Sequence, residues 1–414
     1  MKQFDLDTWE EILLTITRNK TRSLLTAFGI FWGIFMLVSL MGGQQGIQDL
    51  MKRQFQGFAT NSGFIGATKT SKAYKGFQQG RNWELINKDV DRVMERIPEI
   101  DVITPNITKW GIRAIYQEKM ISGTLKGLYP IYSAIEEPQI IMGRYLNEMD
   151  IRECRKVCVI GSRIYETLFP NKENPCGKMI EINGIYYQVV GVNMATGNIS
   201  VQGKAETSVI VPFTTMQKNY NMGNKIQLLC FTAKQGYSIS SVANKVEALI
   251  KEAHFIHPDD QQAIVCVNAE VMFSMMDNLF TGIKLLGWLV GLGTLLAGAI
   301  GVSNIMMVTV KERTSEIGIR RAIGAQPNDI LQQILSESMV LTIISGMVGI
   351  SSAVFLLNAV EKVASTPLEP AHFQINFWGA IGATLLLLVL GGLAGIAPAL
   401  RAMNIKPIDA IRDE

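Results

Sequence analysis

Residues 285–310 read LLGWLVGLGTLLAGAIGVSNIMMVTV, a run without a single charged side chain. A helix rises 1.5 Å per residue, so about 20 apolar residues cross a hydrocarbon core about 30 Å thick. A buried helix of a soluble protein rarely runs this far without a charge. Three further charge-free stretches occur, at 23–48, 338–360 and 373–400. They predict transmembrane helices over 23–48, 279–310, 335–360 and 377–400. Between the first two lies one long segment, 49–278. The other connections are short: 311–334 and 361–376, with a tail at 401–414.

Lys and Arg concentrate on the cytoplasmic side of span ends. Arg18, Lys20 and Arg22 precede the first span, Lys311, Arg313, Arg320 and Arg321 follow the second, and Arg401, Lys406 and Arg412 follow the fourth. Both termini and 311–334 are therefore expected in the cytoplasm, with 49–278 and 361–376 outside. The first span exceeds the 7–15 apolar residues of a signal-peptide core, and no clear A-x-A-like site follows it. Ahead of it, Leu6, Trp9, Leu13 and Ile16 recur at helical spacing. They suggest an amphipathic helix within 1–22, at the inner membrane surface, or an extension of the first span.

Only 18% of the 414 residues are charged and the net charge is +3. Nucleic-acid binding calls for a concentrated basic footprint, which this chain lacks. Cys154, Cys158, Cys176, Cys230 and Cys266 all lie in the long segment. Their odd number leaves at least one thiol unpaired within a chain, and packing as small hydrophobes is as good a reading as any disulfide.

No span carries a charge near its middle; Lys284 and Glu337 stand at the edges. A central charge costs at least about 2.5–3.5 kcal/mol, and ion-coupled transporters keep such residues for function. The spans instead hold small-residue pairs four apart: Gly29 and Gly33, Gly287 and Gly291, Gly391 and Gly395. Such pairs let helices approach closely. The pattern describes a dry, tightly packed, dimeric bundle suited to transmitting motion.

Within 49–278, Val90, Val93, Met94 and Ile97 form one helical face stopped by Pro98, and Val242, Val246, Leu249, Ile250 and Ala253 form another. Short β-type runs at 100–103 and 263–267 flank these helices. Residues 179–182 and 185–192 flank Asn183-Gly184, the signature of a type I′ hairpin. The expected fold is a mixed α/β subdomain made of both ends, with a β-rich insertion at about 143–212. His254 and His257 with Asp259 and Asp260 have metal-like spacing, but a structural zinc site wants four ligands, so residues at a helix end are the better reading and no metal is expected. No G-x-S-x-G and no G-x-x-x-x-G-K-[ST] occurs, so neither a nucleophile elbow nor a phosphate-binding loop is present in these residues.

The second span runs into KERTSEIGIRRAIGA, residues 311–325. Glu316 and Arg320 form an i,i+4 pair, and Ile317, Ile319 and Ile323 remain to pack against something. This run closely resembles the signature E-R-x-x-E-I-G-I-[RL]-[RK]-A-[IL]-G-A of the MacB/FtsX-type permease family. Its elements are Glu312, Arg313, Glu316, Ile317, Gly318, Ile319, Arg320, Arg321, Ala322, Ile323, Gly324 and Ala325. Residues 332–350, including Glu337 and Gly346, resemble the family's third span. Pro398, Pro407, Ala410, Ile411 and Arg412 stand where its C-terminal segment has them. Residues 143–169, 177–178 and 182–192 resemble the outer domain of the MacB-like branch.

The resemblance implies an α-helical membrane protein with four transmembrane helices and a large extracytoplasmic α/β domain, in the bacterial inner membrane with that domain in the periplasm. It implies the non-catalytic permease subunit of an ABC transporter. MacB proper carries a fused ATPase, whereas this sequence begins almost directly at the first span. A separate ATPase subunit holding ATP and Mg²⁺ is therefore expected, with no cofactor on this chain. The implied mechanism is mechanotransmission: ATP-driven closure moves the coupling segment and, through the first two spans, the outer domain. ATPase contact falls on Glu312, Arg313, Glu316, Ile317, Gly318, Ile319, Arg320, Arg321, Ala322 and Gly324, with Lys406 and Arg412 secondary. A second permease copy or paralogue, a periplasmic adaptor and an outer-membrane duct are the further partners. Efflux is the expected activity; regulation of a cell-wall hydrolase, as in FtsX, and lipoprotein release share the topology.

Overall fold

The computed structural model describes residues 20–194, 197, 200–365, 372–375 and 377–405. The amphipathic pattern of Leu6, Trp9, Leu13 and Ile16 lies outside the described residues, as do Lys406 and Arg412. The chain divides into two compact units, 1–51 with 278–414, and 52–277.

The first unit is helical. Among its described residues four helices are long and apolar enough to cross a membrane: α1 (Lys20–Gln54), α7 (Ala269–Glu312), α9 (Pro327–Ala364) and α10 (Phe377–Met403). Glycine sets the approach of α1 to α7. A methyl built on Gly33 would lie 3.1 Å from the Leu295 nitrogen, and one on Gly298 would lie 2.9 Å from the Gly29 carbonyl oxygen. One on Gly291 would overlap Leu37, whereas Gly287 has only an ordinary 3.8 Å contact with Leu40. The helices α9 and α10 meet in the same way, Gly391 against Thr342 and Gly395 against Ser338. There the Ser338 hydroxyl donates to the Gly391 carbonyl at 3.0 Å. Ile34, Leu37, Leu295, Ala353 and Leu387 fill the space between these helices.

The second unit is α/β. Its main sheet runs β12 (Ile264–Asn268), β1 (Ser62–Ala67), β11 (Leu228–Ala233), β3 (Ile100–Tyr116), β4 (Lys119–Leu128), β9 (Ser208–Pro212), β6 (Val157–Gly161), β8 (Ile185–Met194) and β5 (Gln139–Gly143), with β7 (Met179–Ile182) pairing β3 and β8. A short ladder joins β2 (Leu85–Ile86) to β10 (Lys225–Ile226). The amphipathic faces read from sequence become α2 (Asn87–Arg96) and α6 (Ile239–Ala253). Val93, Val242, Val246 and Ile250 are buried in one core with Ile65, Leu229 and Phe231. The expected short run at 100–103 is the start of a much longer strand. The first half of β3 pairs with β11 and its second half with β4, across an irregularity at Trp110/Ile112 where Gly111 takes φ +68°. The stretch 143–212 therefore continues the same sheet: β9 runs parallel to β4, and β7 pairs the end of β3.

Short helices α3 (Glu148–Arg152), α4 (Ser162–Leu168) and α5 (Phe213–Asn219) complete this unit. The turn at Asn183-Gly184 has φ +48° and +84°, as a type I′ turn requires, and closes Ile182 on Ile185. Buried carboxylates tie loops to helix ends. Asp260 accepts from the Ser71 nitrogen at 2.7 Å and from the Lys72 nitrogen at 3.0 Å. Burial alone would raise its carboxyl; the hydrogen bonds led by Ser71 outweigh that and leave it below its ordinary value. His254 ends α6 and lies 2.8 Å from Asp89, which is buried at the start of α2. His257 is half-buried, and among the described residues no group of three His, Cys, Asp or Glu could hold a metal. All five cysteines are free, and Cys158 and Cys230 are buried.

Candidate functional site

The sequence signature folds as a short helix, α8 (Thr314–Ala322), set between α7 and α9. Its boundaries follow from local chemistry. Gly324 takes φ +110°, a left-handed conformation open to glycine, and turns the chain out of α8. The next helix starts with Pro327 in its first turn, and the Asp329 carboxylate accepts from the Gln326 nitrogen at 3.1 Å.

One face of α8 is pinned to the bundle. Ile317 is buried with Val310, Ile330, Ile334, Ala399 and Ala402, and Gly318 beside it is buried too. The charges of the signature bind one another and the spans. Arg313 grips Glu316 through two bonds, Nε to Oε2 at 3.0 Å and Nη2 to Oε1 at 3.0 Å. Its Nη1 reaches Glu337 of α9 at 3.2 Å. Arg320 donates to the same Glu316 at 3.0 Å and to Gln333 of α9 at 3.2 Å. Arg321 donates to the Met403 carbonyl at 2.8 Å, at the end of α10. The hydrogen bond to Glu316 first, and the Glu337 charge with it, hold the Arg313 guanidinium above its ordinary value. Arg313, Glu316, Arg320 and Arg321 thus position α8 against α9 and α10.

The opposite face is open. Ser315, Ile319, Ala322, Ile323 and Gly324 are exposed, Ile319 by 48% and Ile323 by 82%. Glu312 is exposed at the end of α7. The three isoleucines left equivalent by sequence are divided by the fold, Ile317 inward and Ile319 and Ile323 outward. Gln333, Glu337 and the Met403 carbonyl were not legible as members of this site. The signal for Glu337 was there: a carboxylate next to a charge-free span needs a partner, and Arg313 is that partner. The glycines of the packing set lie among α1, α7, α9 and α10 and belong to the helix contacts already described.

Four long apolar helices, a large α/β domain inserted between the first two, and a charged helix clamped after the second define a membrane permease of the ABC-transporter class. The chain belongs to the MacB/FtsX-type permease family: residues 23–249 match the MacB-like periplasmic core domain and residues 288–407 the FtsX-like permease C-terminal domain. It is 26% identical over 415 residues to the macrolide export ATP-binding/permease protein MacB of Shewanella sp. (strain W3-18-1), covering 99% of this chain and 61% of that one. It is 27% identical over 400 residues to the pyoverdine export ATP-binding/permease protein PvdT of Pseudomonas syringae pv. syringae (strain B728a), covering 96% and 58%. The chain thus spans about three fifths of the length of these curated relatives. The periplasmic region of MacB from Actinobacillus actinomycetemcomitans aligns over 54% of this chain and 96% of its own, at 19% identity and a TM-score of 0.43.

Proposed function

We propose that this chain is the mechanotransmitting permease of an export machine, driven by an ABC ATPase that docks on the open face of α8. The observation that carries the reading is the two-sided build of α8. Its inner face is fixed to α9 and α10 through Arg313, Glu316, Arg320 and Arg321, while Ile319 and Ile323 stand uncovered. An apolar pair on a rigid mount suits a partner that must push on it. The spans carry no central charge for an ion or proton to use. The helices α1 and α7, 35 and 44 residues long, exceed the ~20 residues that a bilayer needs and lead toward the inserted domain.

In this reading both termini and α8 are cytoplasmic, and 52–277 lies in the periplasm of a bacterial inner membrane. The ATP site lies outside these 414 residues, in which no phosphate-binding loop occurs. A second copy or paralogue completes the permease, and an adaptor with an outer-membrane duct carries cargo away. Export is favoured by the names of the relatives, macrolide and pyoverdine exporters. The test is purification in mild detergent with a cognate ATPase. The wild-type chain should bring the ATPase down and stimulate its turnover. Ile323→Asp should lower affinity for it by roughly tenfold or more, the effect of losing an interface anchor. A variant that binds and stimulates like the wild type would remove the docking assignment.

A further inference from the structure

A second site lies inside the α/β unit, away from α8. Asn193, near the end of β8, is 7% exposed, and its Oδ1 is buried with no hydrogen-bond partner among the described residues. It lines a cavity of about 30 Å³ together with Lys126, Tyr132, Glu136, Tyr145 and Phe58. A buried acceptor left unpaired is unfavourable, so it calls for a donor.

The other walls specify what kind of donor. Glu136 lines the cavity, and its carboxylate accepts from the Tyr132 hydroxyl at 3.1 Å. Phe58, Tyr132 and Tyr145 line it as well, and aromatic rings attract cations. Lys126 is the one opposing charge among the described lining residues. Its Nζ already donates to Ser200 Oγ at 2.8 Å and to the Gly203 carbonyl at 2.9 Å. Burial pushes the Lys126 ammonium below its ordinary value, and the Glu136 charge works against that shift. At the mouth, Phe58, Glu137 and Pro138 are shared with an open cleft of about 610 Å³, so a second carboxylate guards the entrance. The inner cavity has room for a group the size of an ammonium, and the cleft for the body of the molecule that carries it.

We propose that this pocket binds a primary amine, its ammonium donating to Asn193 Oδ1 and the Glu136 carboxylate in an aromatic-lined cavity. The site is independent of the ATPase reading. A buried water would also satisfy Asn193, but it would not exploit the carboxylate or the rings.

The test uses the full chain in detergent and follows its thermal midpoint. Methylammonium chloride is titrated against tetramethylammonium chloride and sodium chloride at matched ionic strength. Methylammonium should raise the midpoint saturably, while tetramethylammonium, which has no N–H to donate, should match sodium. Asn193→Leu removes the unpaired acceptor at similar volume, and Glu136→Gln removes the charge. Each should weaken methylammonium binding by about tenfold or more, as expected for a charge-assisted hydrogen bond. Should Asn193→Leu fail to fold, Glu136→Gln decides alone. A rise shared by tetramethylammonium, a rise that survives both substitutions, or no rise at all, with water the only occupant, would overturn the proposal.

Discussion

Glu316 carries three hydrogen bonds from two arginines, and Glu337 shares one of those arginines from the buried side of α9. The arrangement differs from a solvated i,i+4 pair in one decisive respect: the Glu337 side chain is only 6% exposed. A surface pair contributes about 0–1 kcal/mol, whereas removing one partner of a buried pair strands a charge. Arg313 keeps its two bonds to Glu316 when Glu337 is removed, so Glu337→Ala should fall between those limits, at about 1–3 kcal/mol in unfolding from mild detergent. A double-mutant cycle with Arg313→Ala should return a coupling of at least about 1 kcal/mol, read from the four unfolding midpoints. A coupling near zero would mean that the contact does not hold α8 in place. The sequence offered both residues, but placed them 24 positions apart with a helix and a turn between. Only the turn at Gly324 brings them together, and one glycine in a signature does not announce the geometry of its turn.

At the scale of elements, legibility followed chemistry that acts locally. The spans were readable because a run without charge has few other places to go. The hairpin at Asn183-Gly184 was readable because few residue pairs accept two positive φ values. The length of β3 was not, because Pro105 and Gly111 interrupt it, and both discount a strand when read from sequence. The fold tolerates them: Pro105 sits opposite Leu229 in the ladder, and Gly111 occupies the irregularity. Small residues in the spans were legible as a set and not one by one. Gly33 touches the backbone of α7 while Gly287 does not, and the real partner of Gly29 is Gly298, outside the four-residue spacing. Gly33→Val should destabilise the bundle by about 1–3 kcal/mol through overpacking. Gly287→Ala should be neutral or slightly stabilising, since alanine favours a helix by about 1 kcal/mol over glycine. Equal losses for the two would show that glycine spacing alone sets the contact.

For the molecule as a whole, the proposed mechanism has α8 as the input and 52–277 as the output of one device. In that mechanism the network of Arg313, Glu316, Arg320 and Glu337 would keep a push on Ile319 and Ile323 from being absorbed by movement of α8 alone. The most direct measurement is hydrogen–deuterium exchange across 52–277 in the reconstituted permease–ATPase complex, with and without ATP turnover. The wild-type chain should show a turnover-dependent change in that domain. The charge reversal Glu316→Arg with Arg320→Glu should leave ATP hydrolysis running and abolish that change. A reversed variant that retains the change in 52–277 would contradict the account.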